Sequence, residues 1–285
     1  MKILMIGDIH GRVYHLISVI NNILRTNDID FIIQLGDFGY YLNSDQLDDA
    51  TRRFAEDDPS ELHSLDYFNQ TEEQNQRYKA YLSHLNQPIH FIEGNHECNA
   101  VLSTLKQYDA PLPQDALGVF KYIPNLHTLQ RNGVKMTFIG GWEHDGRFLC
   151  SDGEIDPSQL YGETTDILFT HDGPYGIQMG FKGQLQGSRM ISEMLEILKP
   201  KLHFHGHYHT TIGPNKIKQT LSHGLAVFMR PRRNTPAMDI NPGSIGLLDT
   251  DTNEFYYLIE EGLQQYRRDD AVETILGVTL DLNLS

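Results

Sequence analysis

Two cysteines, Cys98 and Cys150, are too few for a disulfide framework in a chain of 285 residues, and their scarcity fits a reducing compartment. Long apolar runs are missing as well, since nothing approaches the ~18 uninterrupted residues of a membrane-spanning helix. The opening Met1-Lys2-Ile3-Leu4-Met5-Ile6 runs straight into Asp8, so it reads as a first strand rather than a signal peptide. A cytoplasmic protein is the expectation, and the glycosylation-like triplet Asn69-Gln70-Thr71 is then a coincidence. Positive charge is scarce too, with 23 Lys and Arg against 38 Asp and Glu and a formal charge of −15. That balance argues against broad non-specific binding to duplex nucleic acid. No repeat, low-complexity tract or linker divides the chain, which we read as one domain, residues 1–285.

The acidity is concentrated. Between Asp45 and Glu73, ten acidic residues face only Arg52 and Arg53. Little apolar periodicity runs from Asn43 to Glu61, and the segment follows Gly36-Asp37-Phe38-Gly39 directly. Residues 43–73 therefore read as an inserted, mobile acidic cap near that motif. Such a cap would repel long polyanions and favour small substrates or a strand end.

What the chain does have is five short motifs rich in metal-ligating residue types. They are Gly7-Asp8-Ile9-His10-Gly11, Gly36-Asp37-Phe38-Gly39, Gly94-Asn95-His96-Glu97, Thr170-His171-Asp172 and Gly206-His207-Tyr208-His209. Each follows an apolar run that reads as a buried strand. Asp8 and His10 are two residues apart, as are His207 and His209, so an extended backbone would project each pair toward one side. Asp8 and Asp37 are separated by about one βαβ unit of ~30 residues, which allows adjacent strands to bring the two carboxylates together. In an open parallel sheet such strand ends collect at one edge, where ligands bind. His90, His203 and His205 lie inside the apolar runs and read as hydrogen-bonded core histidines.

The order of these motifs resembles the calcineurin-like metallophosphoesterase superfamily, from about residue 3 to residue 209, and Asn241-Pro242-Gly243-Ser244 resembles a turn seen in its bacterial members. The resemblance implies a four-layer α/β/β/α sandwich of two mixed sheets flanked by helices. It also implies that Asp8, His10 and His209 hold one metal, that Asn95, His171 and His207 hold another, and that Asp37 bridges them. A mixed carboxylate, imidazole and amide set suits two divalent transition ions, with manganese expected and iron, zinc, cobalt or nickel as alternatives; calcium prefers oxygen alone. A pair of ions ~3.5–4 Å apart can activate one hydroxide for attack at phosphorus. The implied activity is hydrolysis of a phosphodiester or phosphomonoester, in a nucleotide or at a nucleic-acid end.

In similar enzymes the histidine of the third motif lies beside the phosphate, so His96 is the expected proton donor to the leaving oxygen, oriented by Glu97 or Asp172. Serine/threonine protein phosphatases and their dinucleotide-cleaving relatives continue the second motif into an Asp-Arg pair, whereas this chain has Gly39-Tyr40-Tyr41, which puts protein phosphatase activity in doubt. Arg12 and Arg147 are candidates for the missing phosphate contact, and Tyr40 for stacking on a base or sugar. Arg230, Arg232, Arg233, Arg267 and Arg268 form modest basic clusters that could touch a nucleic-acid backbone. Two rivals come from other classes. A silent binding scaffold on the same fold would have lost ligands, and none of the seven is lost. A Rossmann-type nucleotide module would need a glycine fingerprint that Gly7-Asp8-Ile9-His10-Gly11 does not provide.

Periodicity sets the remaining elements. Helices are expected over Arg12–Thr26, from Thr71 through Leu85, over Cys98–Gln107 and over Ser188–Leu198, and a hairpin around Asn132-Gly133. Leu225–Met229 and Gly246–Ile259 read as strands, the latter turning near Asp251-Thr252-Asn253.

Overall fold

The computed structural model describes residues 1–105, 115–180, 183–229 and 240–284. Its first half runs β1 (Lys2–Ile6), α1 (Val13–Thr26), β2 (Phe31–Gln34), α2 (Asp49–Ala55), α3 (His63–Phe68), α4 (Glu72–Lys79), β3 (Ile89–Phe91), α5 (Asn99–Leu102) and β4 (Phe120–Tyr122). The chain then enters β5 (His127–Arg131), β6 (Val134–Ile139), β7 (Trp142–His144), β8 (Arg147–Cys150), β9 (Gly153–Glu154) and β10 (Ile167–Thr170). It ends with β11 (Gln178–Met179), β12 (Leu185–Gln186), α6 (Arg189–Leu198), β13 (Leu202–His205), β14 (Ile212–Ile217), β15 (Thr220–Gly224), β16 (Ile245–Asp249), β17 (Glu254–Tyr257) and α7 (Val272–Leu276).

Two six-stranded mixed sheets result, ordered β17-β16-β1-β2-β3-β4 and β14-β15-β13-β10-β6-β5. Alternation along β1 explains how they stack. Ile3 and Met5 enter a core shared with Phe31, Phe138, Phe169 and Phe204, which come from both sheets. Leu4 and Ile6 enter another with Leu16 and Ile20 of α1. Beyond the second sheet, Leu168 packs with Ile191 and Leu195 of α6. With both faces covered, consecutive residues of the parallel strands are buried and apolar, as in Leu4-Met5-Ile6 of β1 and Ile167-Leu168-Phe169 of β10. The order of layers is helix, sheet, sheet, helix, as the family resemblance implied. No helix among the described residues is long and apolar enough to cross a membrane.

Helix α1 buries eleven of its fourteen residues, among them His15, Ser18, Asn21 and Asn22. A one-sided helix does not need this. The polar face is covered by the C-terminal segment: Ser18 Oγ donates to Ile275 O at 2.7 Å, and Asn22 Nδ2 donates to Tyr266 Oη at 2.9 Å and Val278 O at 2.8 Å.

Three expectations are corrected. The helix beginning at Thr71 ends at Lys79 rather than Leu85. The backbone N–H groups of His84 and Leu85 donate to Asn21 Oδ1 instead, at 2.9 and 3.1 Å. The helix after Cys98 spans only Asn99–Leu102, and positions 106 and 107 of the expected span lie outside the described residues. Leu225–Met229 is not a strand, because its amides are used elsewhere: Ala226 N donates to Gly243 O at 3.0 Å and Phe228 N to Asp8 O at 2.8 Å. This segment ties the Asn241–Ser244 turn to the first motif, and Gly7 N donates to Ser244 O at 2.9 Å.

Candidate metal centre and active site

Strands β1 and β2 pair in parallel, with Ile6 opposite Gln34, so Asp8 and Asp37 emerge side by side just past their ends. Strands β10 and β13 are likewise parallel neighbours, and they deliver His171 and His207 from the facing sheet. The extended backbone expected within each motif is not what is found. His10, Asp37, His207 and His209 all have positive φ, at 44°, 49°, 71° and 58°. Left-handed backbone at non-glycine residues costs on the order of 1–3 kcal/mol each and clusters at functional sites. Tight turns, not pleated strand ends, aim these side chains.

Two donor groups form. Asp8, His10, Asp37 and His209 offer ligand atoms within 4.8 Å of one another, as do Asp37, His171 and His207. Asp37 belongs to both, and divides its oxygens between them. Oδ2 lies 3.9 Å from His10 Nε2, while Oδ1 lies 3.3 Å from His171 Nε2. Asn95 Oδ1 joins the second group at 3.1 Å from His171 Nε2, and His207 Nδ1 lies 3.2 Å from the same atom. In the first group, His209 Nε2 is 3.3 Å from Asp8 Oδ2 and 3.0 Å from His10 Nε2. The seven expected ligands thus converge.

The chemistry of these atoms fits transition ions. His171 Nδ1 lies 2.9 Å from Leu35 O, so that nitrogen donates its hydrogen to the carbonyl and Nε2 keeps its lone pair. Burial holds His10 down to about 3 and also lowers His207, which keeps both imidazoles in the neutral form a metal requires. Burial opposes ionisation of Asp8, but the hydrogen bond from His209 and the nearby His171 outweigh it and keep the carboxylate charged. The 3.0 Å between His10 and His209 Nε2 puts two imidazole nitrogens close enough to be shared by one ion. Gly94 and Gly206 leave room for this packing: a Cβ at Gly94 would strike the backbone N and Oδ1 of Asp37, and one at Gly206 would strike Asp8 Oδ1.

His96 stands at the edge of the first group, edge-on to the His10 ring at 5.2 Å. Its backbone N–H donates to Asp37 Oδ1 at 2.9 Å, and its Nδ1 lies 2.7 Å from Asp48 Oδ2. Burial opposes its protonation, yet the hydrogen bond to Asp48 and the charge of Asp37 push it up to about 9. Neither expected partner orients this ring. Glu97 instead accepts from the backbone N–H groups of Phe38 and Gly94, at 2.5 and 2.9 Å. Asp172 accepts from the backbone N–H of Glu143 at 3.1 Å and from Tyr208 Oη.

Asp48, which sequence reasoning missed as a site residue, comes from the acidic segment. It caps α2 by accepting from Thr51 N at 2.7 Å, and Tyr41 Oη donates to it at 2.6 Å. An aspartate three positions before a threonine is legible as a cap; its position opposite His96 is not. The segment is also a packed element rather than a loose acidic flap. Asp58 and Glu61 accept from Arg12 Nη2 at 2.6 and 3.0 Å, Asp66 from Tyr14 Oη at 2.6 Å, and Ser64 Oγ donates to Gly39 O at 2.6 Å.

These contacts correct several expected substrate contacts. Arg12 is buried, with Nη2 held by Asp58 and Glu61 and Nε donating to Ser60 Oγ at 3.2 Å, so its charge is spent inside the protein. Tyr40 is fully buried against Phe68 and Phe91 and has no face to offer a base. Arg268 is buried and donates to Asp58 at 2.6 Å, which removes it from any nucleic-acid surface. Arg147 lies exposed on β8, opposite His144 of β7. Arg230, Arg232 and Arg233 lie outside the described residues. His90, His203 and His205 are buried in β3 and β13, where His90 Nδ1 is 3.1 Å from Ile32 O and His203 bridges Ser222 and Thr170 hydroxyls, both at 2.8 Å.

A family model described as calcineurin-like phosphoesterase matches residues 1–211, a span that contains every one of these candidate ligands. The chain belongs to that family. One solved structure aligns with 90% of this chain and 98% of its own at a TM-score of 0.50 and 10% identity, which shows a shared fold. An archaeal phosphodiesterase aligns with 91% of this chain and all of its own, at 12% identity and a TM-score of 0.40. A 5'-nucleotidase from Candida albicans SC5314 covers 96% of this chain and 56% of its own, at 12% identity and 0.37. No curated protein sequence matches this one. As a member of this phosphoesterase family the protein is a hydrolase, and its Asp and His clusters are suited to binding metal.

Proposed function

We propose that this phosphoesterase hydrolyses a phosphodiester or phosphomonoester, in a nucleotide or at a nucleic-acid end, using two divalent ions of which manganese is the first choice. The division of Asp37 oxygens between two donor groups carries the reading, because a carboxylate aimed both ways is what a binuclear centre requires. Asp8, His10 and His209 would hold one ion, and Asn95, His171 and His207 the other. Bound there, the pair supplies an activated water and charge stabilisation at the phosphoryl oxygens. The protein supplies the rest. Asp48 accepts a hydrogen bond from His96 Nδ1–H, which leaves Nε2 to present a proton to the departing alkoxide. Asp37 fixes the same residue from the backbone side. His96 is thus a proton donor locked in one orientation beside the donor groups.

The test is activity of the manganese-loaded protein on a panel of phosphomonoesters, diesters, cyclic nucleotides and oligonucleotide ends, with and without chelator. Hydrolysis of at least one class that chelation abolishes is expected. No turnover of any of them at full metal occupancy rejects the proposal.

A further inference from the structure

Beside His96 a cavity of about 120 Å³ opens between the acidic segment and residues 227–229. Phe54 of α2 lines it together with Val227 and Met229, and so do His10, His96 and His209. One side therefore belongs to the reaction centre, and Phe54, Val227 and Met229 form an apolar patch facing it, with Thr51 and Asp57 at its margin. Val227 and Met229 are buried, and Phe54 is half-buried, so the walls keep their place without a ligand. Arg12, Asp58 and Glu61 also line it, but they are occupied with one another and present no unspent guanidinium to a second phosphate. Apolar cavities of about 150 Å³ accept a single benzene-sized ring, so this one has room for a group of about one ring.

Resting on the phosphoesterase reading above, we propose that this cavity is the leaving-group subsite, and that the preferred substrate is an ester whose leaving alcohol carries one compact, uncharged, largely apolar group directly next to the phosphate. Phe54 is then a specificity-determining residue. Two features make the assignment hang together. His96 lines the cavity with its Nδ1 turned to Asp48, so a group entering here brings its ester oxygen to the ring. The segment that carries Phe54 also carries Asp48, so one structural element positions the acid and shapes the space beside it. Anything larger than one ring must extend outward, and a further charged phosphate next to the leaving oxygen meets an apolar wall.

The experiment compares benzyl and methyl esters of the same phosphate, whose alkoxides are similarly basic, so their kcat/KM ratio reads the subsite rather than leaving-group chemistry. The wild-type metal-loaded enzyme is expected to favour benzyl. Phe54→Ala should reduce that ratio about three- to tenfold, the usual worth of one aromatic contact, and Phe54→Trp, which crowds the same space, should also shift preference toward methyl. A readout independent of turnover is ¹⁹F line broadening of 4-fluorobenzyl alcohol by the wild-type protein, with and without manganese, expected to be lost in Phe54→Trp. An unchanged benzyl-to-methyl ratio in both variants, with normal hydrolysis, overturns the subsite while leaving the phosphoesterase reading intact. Absence of hydrolysis of every ester overturns both.

Discussion

Replacing Asp48 by Asn isolates the charge that orients His96. Asparagine caps a helix about as well as aspartate, so the bond that Thr51 N makes to Oδ1 at 2.7 Å survives and α2 keeps its start. What is lost is the charged acceptor 2.7 Å from His96 Nδ1. Hydrogen bonds to charged groups contribute roughly 1.5–3 kcal/mol; both side chains are partly exposed, at 25% and 32%, so the lower half of that range applies. The expected loss in kcat is about ten- to thirtyfold on an ester with an alkoxide leaving group. His96→Ala should lose more, roughly 10²–10⁴-fold, and both defects should shrink on a nitrophenyl ester, whose phenolate departs without a proton. Because Asp48 acts only through His96, the double variant should be no slower than His96→Ala alone. Steady-state kinetics on matched alkyl and nitrophenyl esters, with metal content measured in each variant, provide the assay. Full additivity of the two substitutions, or equal loss on both esters at unchanged metal content, would refute the reasoning.

The other expectations concern metal, stability and acid. Asp37→Asn should empty both donor groups whereas His209→Ala should chiefly empty one, so two full equivalents retained by purified Asp37→Asn would overturn its bridging role. Arg12→Met leaves Asp58 and Glu61 buried without their main partner, a change that costs about 3–5 kcal/mol; denaturant melts should show that loss, and a raised KM at unchanged stability would instead restore Arg12 as a substrate contact. Asn22→Ala removes donors to Tyr266 and Val278 and the acceptor for Leu280 N, and should destabilise by about 2–4 kcal/mol at normal metal content; a wild-type melting curve would contradict it. Burial holds His15 down to about 3 and His63 to about 4, both below the unfolded value of about 6.5. Both are thus neutral when folded, and acid favours the unfolded chain: below pH 6.5 each removes up to about 1.4 kcal/mol per pH unit. Stability measured between pH 6.5 and 5 should fall with a slope that His63→Asn reduces, and an unchanged slope in that variant would argue against the buried neutral state.

That the seven candidate ligands would gather was legible from local grammar, and the four layers followed from the family resemblance of their motifs. A ligand at the end of an apolar run with glycine beside it needs only a strand and a turn, and β1, β2, β10 and β13 provide them at the expected places. Strands covered on both faces leave continuous apolar runs that no surface strand would show. The sequence could not say how each ligand is aimed, because positive φ at His10, Asp37, His207 and His209 is imposed by the turns and their partners rather than by residue type. Nor did it reveal the fate of the acidic segment. A charge reads the same in a string whether it faces water or another residue. Only folding put Asp48 against His96, turned Asp58 and Glu61 inward onto Arg12, and buried Tyr40 against Phe68 and Phe91. The C-terminal cover on α1 was hidden for the same reason: Ser18 and Asn22 look like a solvated helix face until residues more than two hundred positions away supply their hydrogen bonds. Spacing along the chain fixes which side chains can share a face. Which charges meet is decided by contacts between segments far apart in sequence, where pairing and desolvation together set the energy.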